Sequence, residues 1–164
     1  MKEELKLSEM LHYEILTGKF FIKKNGDLVR EIFPNEEGYL MFYRQGRRLK
    51  LKANKVAIEL TSAEKVAEDR AVLHKNLDEN DYRLQNLRVI SRTAYLAVKE
   101  AQRNLSGALK LTPHPEDMFC YILNWKENSK DRRKVVKDVV VAKRTYNKLQ
   151  LKYAKILSKY CVFD

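Results

Sequence analysis

The chain has 164 residues, 45% of them hydrophobic, with a net charge of +11 and a pI near 9.6. That hydrophobic content, with few Gly and Pro, excludes wholesale disorder, and the length holds one domain or one small domain with an appendage. Such an excess of Lys and Arg points to a polyanion, nucleic acid before a membrane surface, and no apolar run reaches the length of a membrane span.

The N-terminus, Met1-Lys2-Glu3-Glu4-Leu5, is charged and lacks the apolar core of a signal peptide, so a cytoplasmic location is expected. Leu7, Met10, Leu11 and Ile15 are spaced for a helix over residues 3–17 that ends at Gly18. A strand over 20–24, an Asn25-Gly26 turn and a strand over 28–33 read as a hairpin. Pro34 and Gly38 mark a loop. A second hairpin follows, with strands 39–43 and 47–51 joined at Gln45-Gly46. It carries Arg44, Arg47, Arg48, Lys50 and Lys52 interleaved with Tyr39, Phe42 and Tyr43, a pattern suited to phosphate contacts with aromatic stacking. Helical spacing returns over 53–60; residues 61–69 either extend that helix or form a loop.

The stretch from Val72 to Ser91 is the most informative. A short apolar run ends in His74, an Asn/Asp-rich loop follows, and the chain returns through Asn86 into a second run, 87–90. Ser91 is placed to cap a helix over 91–105, closed by Gly107. The order is strand, loop, strand, helix.

Beyond Pro113 and Pro115, Asp117 is placed to cap a short helix over 118–126 bearing Phe119, Ile122, Leu123 and Trp125. A polar turn at 127–130 leads into one long helix from about Asp131. Val135, Val139, Ala142, Tyr146, Leu149, Tyr153, Ile156 and Tyr160 make a heptad seam there, and Lys and Arg crowd the other faces. Three tyrosines in the seam favour packing within the subunit; a dimerisation helix or a phosphate-tracking arm is the alternative. Cys120 and Cys161 lack the spacing of a zinc site; Cys120 reads as a buried core thiol, and a reducing cytosol disfavours a disulfide. His12, near Glu9 on the first helix, and His114, between two prolines, read as structural.

Leu73-His74, the loop, and Tyr82-Arg83-Leu84-Gln85-Asn86-Leu87-Arg88 resemble the core motif of the phage and intron HNH endonucleases, a family with a ββα-metal fold. Thr17-Gly18-Lys19-Phe20, Gly38-Tyr39-Leu40, Gly46-Arg47-Arg48 and Ala53-Asn54-Lys55-Val56-Ala57 extend the resemblance over residues 5–95. The resemblance implies His74 as general base, suited by the ordinary pKa of imidazole, and Asn86 as the residue that holds the loop. It also implies one divalent ion, Mg²⁺ or Mn²⁺, to stabilise the leaving oxygen. By register the family's ion ligands fall at Leu73, which has no donor atom, and at Tyr95, a poor ligand for a hard cation. Asn54 stands where relatives carry His, Leu77 replaces a loop Gly and Tyr82 an Asn, so a loop of altered shape is expected. Asp78 and Asn76 remain as candidate metal ligands.

The expected fold is therefore α+β, with antiparallel hairpins, an HNH-like ββα core and a helical C-terminal extension, divided into residues 1–107 and 108–164. The expected function is binding of double-stranded DNA through Arg44, Arg47, Arg48, Lys50, Lys52, Arg83 and Arg88, with cleavage weakened or lost. In that reading His74 and Asn86 are remnants. One alternative is an active homing-type endonuclease or nickase using His74. The other is a phage accessory protein, in the host cytoplasm, that docks on a protein partner or a second copy through its C-terminal helices.

Overall fold

The computed structural model describes residues 6–162. In chain order they form α1 (Leu7–Met10), β1 (Leu11–Glu14), β2 (Lys19–Lys24), β3 (Asp27–Ile32), β4 (Tyr39–Arg44), β5 (Arg47–Lys52), α2 (Ala53–Ser62), β6 (Arg70–His74), β7 (Leu87–Ser91), α3 (Arg92–Arg103), β8 (Lys110–Pro113), β9 (Tyr121–Glu127), β10 (Lys130–Val136) and α4 (Val139–Tyr160). The fold is α+β, with small antiparallel sheets and a C-terminal helix. It divides into two compact units, Met1–Arg92 and Thr93–Asp164. The boundary expected at 107/108 lies beyond α3, and in the structure that helix groups with the second unit.

In the first unit, Asn25 and Gly26 take φ 53 and 92, and Gln45 and Gly46 take 47 and 73. Positive φ at both loop residues matches the twist of the flanking strands, so each pair closes a tight two-residue hairpin. The expected N-terminal helix is largely a strand. Only Leu7–Met10 is helical, and β1 pairs with β2, Leu11 opposite Ile22 and Tyr13 opposite Phe20. Residues 3–5 of that expectation lie outside the described residues. The apolar positions fit a helical period, but Leu11 and Tyr13 are buried while His12 and Glu14 are exposed, a period of two. Pairing with a strand later in the chain overrides the local spacing. His12 consequently sits on a strand, its ring 6.1 Å from that of Phe21.

The second hairpin packs one face inward. Leu40 and Phe42 of β4 are buried, and cross-strand pairing puts Leu51 and Leu49 opposite them. With Leu11, Phe20, Val56 and Val72 they join one core. Helix α2 lies against this core on Ala53, Val56 and Ala57 and ends at Ala63, which takes φ 58, so residues 64–69 are not helical. Strands β6 and β7 pair from Arg70–Ser91 to His74–Leu87.

The second unit corrects the expected helical hairpin. Residues 121–127 and 130–136 are strands, and β9 lies at the centre of a sheet ordered β10-β9-β8. The apolar run Phe119, Ile122, Leu123, Trp125 is short enough to fit either period. Asn128 and Ser129 both take positive φ, 51 and 62, and form a tight hairpin turn without the glycine that normally announces one. Asp117 caps a turn instead of a helix, accepting the Phe119 amide at 2.9 Å. Helix α4 begins at Val139, with Asp138 Oδ1 accepting the amides of Val140 and Val141 at 2.6 and 3.1 Å. The seam holds at Ala142 and Tyr153, both fully buried, then drifts to Leu157 and Cys161, as a straight helix drifts against a seven-residue repeat. Val135, the first expected seam position, is on β10 and half exposed. Tyr153 donates to the Lys126 carbonyl at 3.1 Å, so the seam is used within its own unit. Cys120 and Cys161 are buried and form no disulfide.

Candidate nucleic-acid interface and the His74 loop

Two places in the first unit hold the residues singled out by the sequence: the outer face of the β4–β5 hairpin and the loop from His74 to Asn86.

In the hairpin, directly opposed residues share a face, so pairing sorts the side chains. Tyr39, Met41 and Tyr43 lie opposite Lys52, Lys50 and Arg48, away from the core. Phe42, expected among the interleaved aromatics, points inward and is buried. Lys50 and Lys52 place their ammonium groups 4.2 and 4.3 Å from the Tyr39 ring centre, a cation–π arrangement. Lys50 also pairs with Glu37 at 3.1 Å, and Lys52 donates to the Glu37 carbonyl at 2.6 Å. Arg48 approaches the Met41 sulfur at 3.2 Å. Arg44 has a different job: its guanidinium donates to the Lys23 carbonyl at 3.2 Å, tying this hairpin to the first one. Arg47, across from it, is exposed.

The loop is organised by Asn86 and Asp81. Asn86 is buried; its Oδ1 accepts the Asn76 amide at 2.9 Å and its Nδ2 donates to the Asp81 carbonyl at 2.8 Å. Its own carbonyl accepts the Lys75 amide at 2.8 Å. One side chain thus ties the start and the middle of the loop to its end. Asp81, which the sequence reading passed over, accepts from Arg83 Nε at 2.8 Å and Nη2 at 2.5 Å, and from Asn76 Nδ2 at 3.0 Å. Arg83, expected at the DNA surface, is therefore committed in a bidentate pair. Arg88 is exposed on β7. Leu77 does not avoid the left-handed conformation but adopts it, with φ 64, at a cost of about 1 kcal/mol.

Arg83 holds the Asp81 carboxyl down at about 2, against an ordinary 3.8, through its hydrogen bond. A depressed carboxyl contributes stability that is fully present above its unfolded value and lost as pH falls through its folded one. The stability difference between the wild type and Arg83→Ala should therefore be constant above about pH 4 and shrink toward pH 2. Urea midpoints across that range measure it; a difference independent of pH would contradict the assignment.

His74 is 8% exposed at the end of β6. Its ring packs edge-on against Tyr82, with centroids 5.3 Å apart, and Tyr82 in turn meets Phe20 at 5.8 Å. Tyr13 donates to the Tyr82 carbonyl at 2.6 Å, and burial pushes its phenol up to about 12. Tyr13 was concealed by the helical spacing of its neighbours. Asn54, where the resemblance led to a histidine, donates from Nδ2 to the Val72 carbonyl at 3.2 Å; its buried Oδ1 has no partner among the described residues.

The candidate metal ligands point their acceptors at the loop itself. Asn76 Oδ1 accepts the Asp78 amide at 3.0 Å, and Asp78 Oδ1 accepts the Asn80 amide at 2.9 Å. These are turn-forming contacts of short polar side chains. Among the described residues no three His, Cys, Asp or Glu side chains gather as ligands. No helix among the described residues is long and apolar enough to cross a membrane. The residues thus define a small α+β protein with a cationic hairpin face and a hydrogen-bonded loop. The chain matches no family model, no curated protein and no solved structure.

Proposed function

We propose that this is a protein that binds double-stranded DNA on an HNH-like strand–loop–strand–helix scaffold, with cleavage weakened or lost. The observation that carries the reading is the outer face of the β4–β5 hairpin. Arg48, Lys50 and Lys52 stand there on one face, while Leu40, Phe42, Leu49 and Leu51 turn into the core. A net charge of +11 gives that face a favourable field for a polyanion.

The loop geometry favours binding over cleavage. A general base needs a path to water, and His74 is buried against Tyr82. Asn76 and Asp78 are engaged in shaping the loop.

Salt dependence tests the reading. Each phosphate contact adds about −0.9 to the slope of log K against log salt. The triple variant Arg48→Ala, Lys50→Ala, Lys52→Ala should bind duplex DNA more weakly at every sequence, with a slope shallower by about 3. Anisotropy titrations at several salt concentrations measure this, and an unchanged slope overturns the assignment of this face. In the same preparation, supercoiled plasmid with Mg²⁺ or Mn²⁺ should stay intact; nicking that disappears in His74→Ala would restore the endonuclease.

A further inference from the structure

The two exposed tyrosines on the hairpin's outer face are not equivalent. Tyr39 and Tyr43 lie on the same side of β4, two pleats apart. The Tyr39 ring carries two ammonium groups, from Lys50 and Lys52. Tyr43 is 74% exposed, and among the described residues no ring or cation is stacked on it. Arg48, directly opposite, turns its guanidinium along the strand to the Met41 sulfur. Tyr43 is therefore turned to solvent, at the end of the strand where Arg44, Arg47 and Arg48 are concentrated.

Covering an exposed ring with a second flat π-system removes apolar surface from water. Here the pleat turns it outward, and Arg48, directly opposite, is engaged at Met41. The chemistry that fits is a flat π-system attached to an anionic chain: a base to stack on the ring and phosphates to meet the cations. Continuous duplex DNA does not present a base face, since each face is covered by its neighbour in the stack. A frayed end, an overhang or a gap does.

We infer that Tyr43 is a stacking platform for an unpaired base, so that this hairpin face prefers DNA carrying unpaired nucleotides to continuous duplex. The inference rests on the DNA-binding reading and specifies the form of DNA. Arg48, Lys50 and Lys52 hold the backbone; Tyr43 supplies the discrimination.

The test compares a blunt duplex with the same duplex bearing a short single-stranded overhang that contains 2-aminopurine. The wild type should bind the overhang form about ten-fold more tightly and quench the 2-aminopurine, as one base stacked on an aromatic side chain would. Tyr43→Ala should bring the ratio of the two affinities to about one and abolish the quenching, while Tyr43→Phe, which keeps the ring, should retain both. Tyr43 is exposed, so the alanine variant should fold; its far-UV circular dichroism checks that. Equal affinity of the wild type for both DNAs, with a steep salt slope, overturns the inference and leaves the DNA-binding reading standing. A preference that survives in Tyr43→Ala also overturns it. Weak, salt-insensitive binding to both DNAs overturns the reading and the inference together.

Discussion

Asn86→Ala should lower the stability of the first unit by about 3 kcal/mol, because it orphans two backbone groups at once. The Asn76 amide loses its acceptor at 2.9 Å and the Asp81 carbonyl its donor at 2.8 Å. The side chain is buried, so water does not simply take its place. A carboxamide is the group that can do both jobs, because it carries an acceptor and a donor on one carbon. Asn86→Asp keeps the acceptor but sets a carboxylate oxygen against the Asp81 carbonyl, so it should also be destabilised. Urea denaturation gives both values. A loss below about 0.5 kcal/mol for the alanine variant would show that the loop is held by something else.

Gly18→Ala should be at least as damaging. Gly18 has φ +76, and a methyl there would lie 2.7 Å from the Arg83 nitrogen and from the Tyr82 carbonyl carbon. Both are backbone atoms of the His74–Asn86 loop, and that backbone cannot easily yield. The Leu84 amide is bonded to the Ile15 carbonyl at 3.2 Å, and the Tyr82 carbonyl to Tyr13 at 2.6 Å. The left-handed conformation and the overlap together should cost about 3–4 kcal/mol. Gly26→Ala and Gly46→Ala provide the controls. Each also has positive φ, but nothing lies within 4 Å of the added carbon, so about 1 kcal/mol is expected. Thermal or urea unfolding of the three variants should separate Gly18 from the others. Equal losses would mean that conformation alone, and not the close approach of the loop, sets the requirement.

The parts of the fold that were legible in the sequence are those governed by residues close together. Asn25-Gly26 and Gln45-Gly46 announced their hairpins because few residues accept positive φ twice in succession. The helix after β7 and its glycine ending at Gly107, φ 120, followed from periodicity and the needs of a helix terminus. Asn86 stood out through the resemblance of Tyr82–Arg88 to the HNH motif, which implied that it holds the loop.

What misled the reading was spacing that served two periods. Leu7, Met10, Leu11 and Ile15 fit a helix, yet Leu11 and Tyr13 are fixed by Ile22 and Phe20 across a turn. Lys130–Val136 carries charges that suit a solvated helix, yet it is an edge strand paired with Tyr121–Glu127. A charged edge strand protects a sheet from further pairing, which is a reason for that composition that no local pattern displays.

For the candidate sites the division is similar. The sequence alone determined that a cationic, aromatic hairpin exists, and that a histidine and an asparagine flank one polar loop. Only the tertiary structure decided that Phe42 turns inward and Tyr43 outward, that Arg83 is spent on Asp81, and that Asn76 and Asp78 face the loop. A residue's type is a local property, whereas its availability depends on which partners the packed chain brings within hydrogen-bonding distance.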